Sequence, residues 1–122
     1  MENFTKIPAL DYKQIEQLRE LDDDSETLFG ELLNIWEKTV AEVFKELEEA
    51  ILTEEIKSVE HLCHKMKGSC ANIGAMRLSS MCEKIEVVAS KGTLNGIAEL
   101  FTLIQKEYPE SKSALCKEFG LH

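Results

Sequence analysis

Little in this 122-residue chain breaks a helix: it has two prolines and six glycines, too few for an all-β or low-complexity protein, whose turns depend on them. Long apolar runs are missing too. No stretch approaches the roughly 20 residues a membrane-spanning helix needs, and the N-terminal MENFTKIPALDYKQIEQ lacks the charged-then-apolar pattern of a secretory signal. Neither GxGxxG nor GxxxxGK[ST] occurs, so the familiar phosphate-cradling loops of nucleotide-dependent kinases are excluded. Basic residues are scarce, 14 against 23 acidic, for a net charge of −9. A phosphate backbone or an anionic membrane repels such a surface, which leaves another protein or a small ligand as the expected partner. The expected location is the cytoplasm, and the initial methionine points to a complete small protein.

What is present fits one soluble domain over residues 1–122, with 43% hydrophobic and 30% charged residues and enough length for a real core. Cys63, Cys70, Cys82 and Cys116 would stay reduced in that compartment. Cys63 and Cys70 on one helix would also stand about 10 Å apart, too far to bridge.

Apolar spacing divides the chain into helices. Leu10, Ile15, Leu18 and Leu21 predict a short first helix, and the acidic run at 22–26 predicts caps for the next. From about 25 to 52, Leu28, Leu32, Ile35, Trp36, Val40, Val43, Leu47 and Ile51 form one stripe. Thr53, followed by Glu54 and Glu55, is expected to open a third helix with the stripe Ile56, Val59, Cys63, Met66, Cys70 and Ile73. After a turn at Gly74, Leu78, Met81, Cys82, Ile85 and Val88 make a fourth, ending near Lys91 and Gly92. Thr93 is expected to begin the last, in which Ile97, Phe101, Ile104 and Tyr108 keep register with Leu115 and Phe119 across Pro109, as one kinked helix. The expected fold is all-α: an antiparallel up-down four-helix bundle with a short additional N-terminal helix covering one end.

One stretch of the third helix stands out. His64 falls roughly 130° from the centre of the apolar stripe and should face water. Lys57, Glu60, His61, Lys67, Gly68 and Ala71 share its side of the helix. Gly68 costs about 1 kcal/mol relative to alanine within a helix, which makes sense if another surface must approach closely. Residues 57–77 carry a local charge of +3, from Lys57, Lys65, Lys67 and Arg77 against Glu60, while the remainder carries −12. An anionic group brought to His64 is therefore the expectation. A neutral imidazole is a competent nucleophile, and an ammonium one turn along could stabilise a transferred phosphoryl group.

His64, Lys67, Gly68 and Ser69 in HKMKGS, followed by Gly74, Ala75, Leu78, Cys82, Ile85 and Glu86, resemble the signature of histidine-containing phosphotransfer domains. The resemblance implies a four-helix bundle whose exposed histidine takes a phosphoryl group from the aspartate of one receiver domain and passes it to another. It implies His64 as phosphoacceptor, Lys67 as charge stabiliser and Gly68 as the access point. The implied partners are response-regulator receiver domains, a hybrid sensor histidine kinase, or both, with Mg²⁺ supplied by the receiver and no cofactor of the chain's own. Cys63 replaces the small alanine common before the phosphorylated histidine.

Blander readings compete for each residue. A lone exposed histidine is ordinarily only a surface residue; Gly68 and the family spacing tip His64 toward phosphotransfer. His61, nearly opposite the core, reads as a neighbour or rim contact. Ser69 lies some 140° from His64 and is assigned to packing. A zinc site of His61, Cys63, His64 and Cys70 is rejected because two of the four face the core and two face out. Partner contact is expected on the second and third helices around His64, through Lys57, Glu60, His61, Gly68 and Ala71, in a monomer. The alternative function is a non-catalytic helical adaptor that binds a partner through the same face.

Overall fold

The computed structural model describes residues 3–22 and 27–121. A short 3-10 turn, Phe4–Lys6, precedes α1 (Tyr12–Leu21), α2 (Leu28–Leu52), α3 (Ile56–Ile73), α4 (Met76–Ser90) and α5 (Ile97–Glu118). Helices α2 to α5 run antiparallel, each joined to the next by a short connection, as the sequence predicts.

The amphipathic stripes account for the packing. Trp36, Val40, Val43 and Leu47 of α2 close on Val59, Met66 and Cys70 of α3, on Leu78, Cys82 and Ile85 of α4 and on Ile97, Ile104 and Leu115 of α5; all are buried. Full burial of each larger aliphatic side chain contributes about 1.5–3 kcal/mol. The Trp36 indole N–H donates to Cys70 Sγ at 3.4 Å, so its one polar atom is satisfied inside the core. Two stripe residues depart from expectation. Ile35 is 63% exposed because the first turns of α2 bury Phe29 and Leu33, outside the expected stripe, and Leu21 is 74% exposed as the last residue of α1, beyond the buried Ile15 and Leu18.

Helix α1 covers one end of the bundle. Its start is capped by Asp11, whose carboxylate accepts from the Lys13 and Gln14 N–H groups. Asp11 N–H donates to Gly74 O at 2.8 Å, and Gln14 Nε2 donates to Asn72 O at 2.8 Å. At the far end of α1, Arg19 pairs with Glu118 and lies over the Phe119 ring.

The turn between α3 and α4 is a Schellman motif. Gly74 sits at φ 92°, its N–H bonded to Ala71 O and that of Ala75 to Cys70 O. A Cβ on Gly74 would meet Ile15 Cγ1 at 3.1 Å, so the glycine serves both the turn and the seating of α1.

Helix starts are where the sequence reading needs correction. Thr53 does not open α3. It follows the last residue of α2, which closes in the same motif: Glu54 N–H reaches Ile51 O, Glu55 N–H reaches Ala50 O, and Glu54 takes φ 56° in place of a glycine. Thr93 does not open α5 either. Its hydroxyl accepts from Asn95 N–H within the preceding turn, and the helix begins at Ile97 after Gly96. Helix α5 then continues through Pro109 as one element. Of the acidic run expected to cap α2, Asp22 accepts from Leu28 N–H at 3.3 Å, and residues 23–26 lie outside the described residues.

Candidate functional site

His64 lies near the middle of α3 with its side chain 65% exposed, as its offset from the apolar stripe predicts. The ring is not isolated. Nδ1 is 2.7 Å from Glu86 Oε2 of α4, and the other carboxylate oxygen, Oε1, is 2.7 Å from Lys67 Nζ. One carboxylate thus holds both residues that the sequence singles out for chemistry.

The backbone explains why Glu86 can do this. It follows the core residue Ile85 on α4 and occupies the flank turned toward α3, its side chain only 19% exposed. Two turns earlier on the same flank, the Ser79 hydroxyl donates to Lys67 O at 3.0 Å and fixes α4 against the turn that carries the lysine. Glu86 Oε1 is buried without a well-directed hydrogen bond, so the close ammonium of Lys67 is what compensates it.

The electrostatics follow from this contact. Burial is the largest single influence on Glu86 and pushes its carboxyl up, but Lys67 and His64 together outweigh it and hold the group below the usual carboxylate range. Lys67 is raised, chiefly by Glu86 and less by Glu83, against a smaller opposing effect of burial. Beneath them the Cys63 thiol is pushed up to about 12 by burial and by the Glu86 carboxylate. Because an ionised carboxylate only accepts, the contact requires a proton on Nδ1, and in the neutral ring Nε2 is then the nitrogen with a free lone pair.

The other expected residues fall as follows. Gly68 is exposed, and a Cβ built on it meets no atom within 4 Å; Ala71, one turn further, is exposed too. Glu60 is half-buried. Lys57 and His61 are exposed and line a cleft shared with Glu46 and Glu49 of α2, whose lining includes neither His64 nor Glu86. Ser69 lies in a shallow groove against Leu32, Ile35 and Trp36, consistent with packing. Cys63 and Cys70 are buried while His61 and His64 face out.

The expected basic spot does not assemble. Lys67 is paired, and Arg77 turns away to the N-terminal segment, where Nε donates to Phe4 O and Ile7 O, and to α5, where Nη1 stands 3.5 Å from Glu107. Counting charge along the chain omitted what neighbouring elements bring, such as Glu86 beside Lys67. Glu86 is the residue to which sequence reasoning gave no role, though it stands in the stretch that carries the resemblance. Its signal is an acidic side chain placed immediately after a core position on a helix packed against α3.

A helical bundle that presents an exposed imidazole held at Nδ1 by a carboxylate and flanked by a lysine and an empty glycine position has the features of a histidine-presenting phosphotransfer domain. The family model described as Hpt domain matches residues 31–114, which include His64, Lys67, Gly68 and Glu86, and the chain belongs to that family. It is 31% identical over 97 residues to the multistep phosphorelay regulator 1 of Schizosaccharomyces pombe, a match covering 75% of this chain and 31% of that protein. To the phosphorelay intermediate protein YPD1 of Candida albicans it is 25% identical over 77 residues, covering 63% of this chain and 42% of the relative. The chain therefore spans less than half the length of these two relatives. The crystal structure of the histidine-containing phosphotransfer protein B (HptB) of Pseudomonas aeruginosa PAO1 superposes with a TM-score of 0.82 at 23% identity, covering 93% of this chain and 96% of that one, and shows the shared fold. By family, this is a phosphotransfer domain. Among the described residues, no helix is long and apolar enough to cross a membrane.

Proposed function

We propose that the chain is a cytoplasmic phosphorelay intermediate that accepts a phosphoryl group on His64 Nε2 from a receiver-domain aspartate and passes it to a second receiver domain. The observation that carries this reading is the 2.7 Å contact between Nδ1 and Glu86 on a ring that is otherwise 65% exposed. It turns a surface histidine into an oriented nucleophile with its free nitrogen outward.

In-line attack by Nε2 needs a partner able to reach the ring. Gly68 and Ala71 provide room one and two turns along the helix, and the exposed Ile35 on α2, which shares a groove with Ser69 and Asn72 of α3, offers apolar contact toward the α2 side. Lys57, Glu60 and His61 would form the polar rim. Lys67 is the cation nearest to the incoming charge, and it would divide its ammonium between Glu86 and the phosphoryl oxygens. Mg²⁺ and the remaining catalytic groups would come from the receiver domain, so the chain acts as a carrier rather than an ATP-dependent kinase, most simply as a monomer.

The test is His64→Gln. It should abolish ³¹P labelling by the small donor phosphoramidate and by phosphorylated receiver domains, with helical circular dichroism retained and stability changed by less than about 1 kcal/mol. Labelling that persists in this variant would place the acceptor elsewhere. A folded wild type that takes no phosphoryl group would leave the same face as the docking surface of an adaptor.

A further inference from the structure

The contact at Nδ1 raises a question that orientation alone does not answer. A neutral amide would orient the ring as well, whereas the structure supplies a half-buried carboxylate, with Oε2 at 2.7 Å from Nδ1 and the buried Oε1 compensated by Lys67. We propose that the Glu86 carboxylate retains the Nδ1 proton of His64 through the whole transfer cycle, so that the phosphorylated ring stays a phosphoimidazolium and remains an active donor. This deepens the phosphorelay reading and rests on it.

The balance of the two steps shows why a charge is needed. On loading, the Nε2 lone pair forms the N–P bond, the Asp O–P bond of the donor breaks, and the aspartate leaves with the electron pair. The ring, neutral before attack with its proton on Nδ1, becomes cationic without gaining or losing a proton. The fixed negative charge of Glu86 meets that new positive charge directly. On unloading, the N–P bond breaks toward Nε2 and returns a neutral imidazole, still protonated at Nδ1. If Nδ1 had lost its proton in between, the leaving group would be an imidazolate, a far poorer one. One carboxylate thus serves both directions of transfer, and no proton needs to enter or leave.

The surroundings favour this division of labour. From α3, Glu60 and His61 stand one turn before His64 on the same side of the helix, Lys67 one turn after it, and the Cys63 thiol lies beneath; from α4, Glu83 faces Lys67 beside Glu86. Among the described residues, α2 and α5 place no ion-pair partner on His64, Lys67 or Glu86. They meet α3 and α4 through apolar side chains such as Val40, Val43, Ile97 and Ile104. Lys67 occupies Oε1 and leaves Oε2 to the ring, so each oxygen has one task.

The experiment uses the full chain loaded with phosphoramidate. The ring nitrogens of phosphorylated His64 are followed by ¹⁵N and ³¹P NMR from neutral to alkaline pH in the wild type, Glu86→Gln, Glu86→Asp and Lys67→Gln, with a short phosphohistidine peptide as reference. Wild-type phospho-His64 should keep its Nδ1 proton to a pH at least about one unit above both the peptide and Glu86→Gln, since an opposite charge at this range shifts titration by about 1–3 units. Hydrolysis of the N–P bond above neutrality should be roughly tenfold slower in Glu86→Gln, Glu86→Asp should recover part of the difference, and Lys67→Gln should retain the proton at least as well as wild type. A wild-type ring that loses its proton where the peptide does would overturn the proposal without reference to any variant, and so covers the case in which Glu86→Gln does not fold. Equal profiles for wild type and a folded Glu86→Gln would overturn it too while leaving the phosphoacceptor role of His64 standing. Failure of the wild type to be phosphorylated at all would overturn both.

Discussion

Replacing Gly68 should move stability and partner transfer in opposite directions. The residue lies inside α3, five positions before its last residue, on the exposed side of the helix, and a Cβ there meets nothing within 4 Å. Alanine at this position removes the backbone-entropy cost of glycine and introduces no clash, so Gly68→Ala should stabilise the fold by about 1 kcal/mol. For a domain of this size that corresponds to a rise in melting temperature of roughly 3–5 °C. Glutamine is also a good helix former and should likewise stabilise, by about 0.5–1 kcal/mol. Its side chain would stand one turn from His64 on the same face, where a receiver domain must close on the ring. Overfilling a closely packed contact costs about 1–3 kcal/mol, so transfer from a competent phosphorylated receiver should fall roughly tenfold or more in Gly68→Gln. Labelling by phosphoramidate, which needs no docked protein, should stay at the wild-type rate. Thermal unfolding by circular dichroism, receiver transfer and small-donor labelling are thus three readouts with three different expected signs. Loss of stability in Gly68→Ala would show that the backbone there is constrained in a way the open space does not reveal. Undiminished receiver transfer in Gly68→Gln would refute the idea that this glycine exists to admit a partner.

Other measurements address the pair behind the site and the core beneath it. Glu86 is held below its ordinary value of 4.5, so its contribution to stability is present above that value and is lost as pH falls through the lower folded value. Lys67 is raised above its ordinary 10.5, so its contribution is present below that value and is lost as pH rises through the folded one. Urea midpoints of the wild type should decline at both ends, and those of Glu86→Gln should be flatter; parallel curves would show that the pair does not contribute to folding. Ile85 is fully buried beside Glu86, and Ile85→Ala should cost about 2–5 kcal/mol in urea unfolding; a cost below about 1 kcal/mol would contradict the packing described for α4. Cys63, Cys70 and Cys82 are buried and Cys116 is half-buried, so a thiol reagent at mildly alkaline pH should modify Cys116 first and the other three only on denaturation, read by mass spectrometry. Rapid modification of Cys63 in the folded protein would contradict a thiol pushed up to about 12.

Sequence periodicity by itself determined the helices, the bundle and the outward placement of His64. Each of these is a local property, because the angle of a side chain about its own helix depends only on its distance along the chain from the apolar stripe. The same logic placed Trp36, Met66 and Cys70 inside, where the structure has them. Where the chain changes direction, local signals misled: Thr53 and Thr93 look like helix starts, yet Glu54 in a left-handed conformation and Gly96 set the actual boundaries. Tertiary structure alone decided how the site is charged. His64 and Glu86 are 22 residues apart, and their contact depends on the register of α4 against α3, set by the Gly74 turn and by the packing of Ile85. Arg77, counted along the chain, belongs to the site; in space it serves the N-terminal segment. Electrostatic partners are chosen by distance between helices rather than position along one, and that distance exists only once the core has brought the helices together.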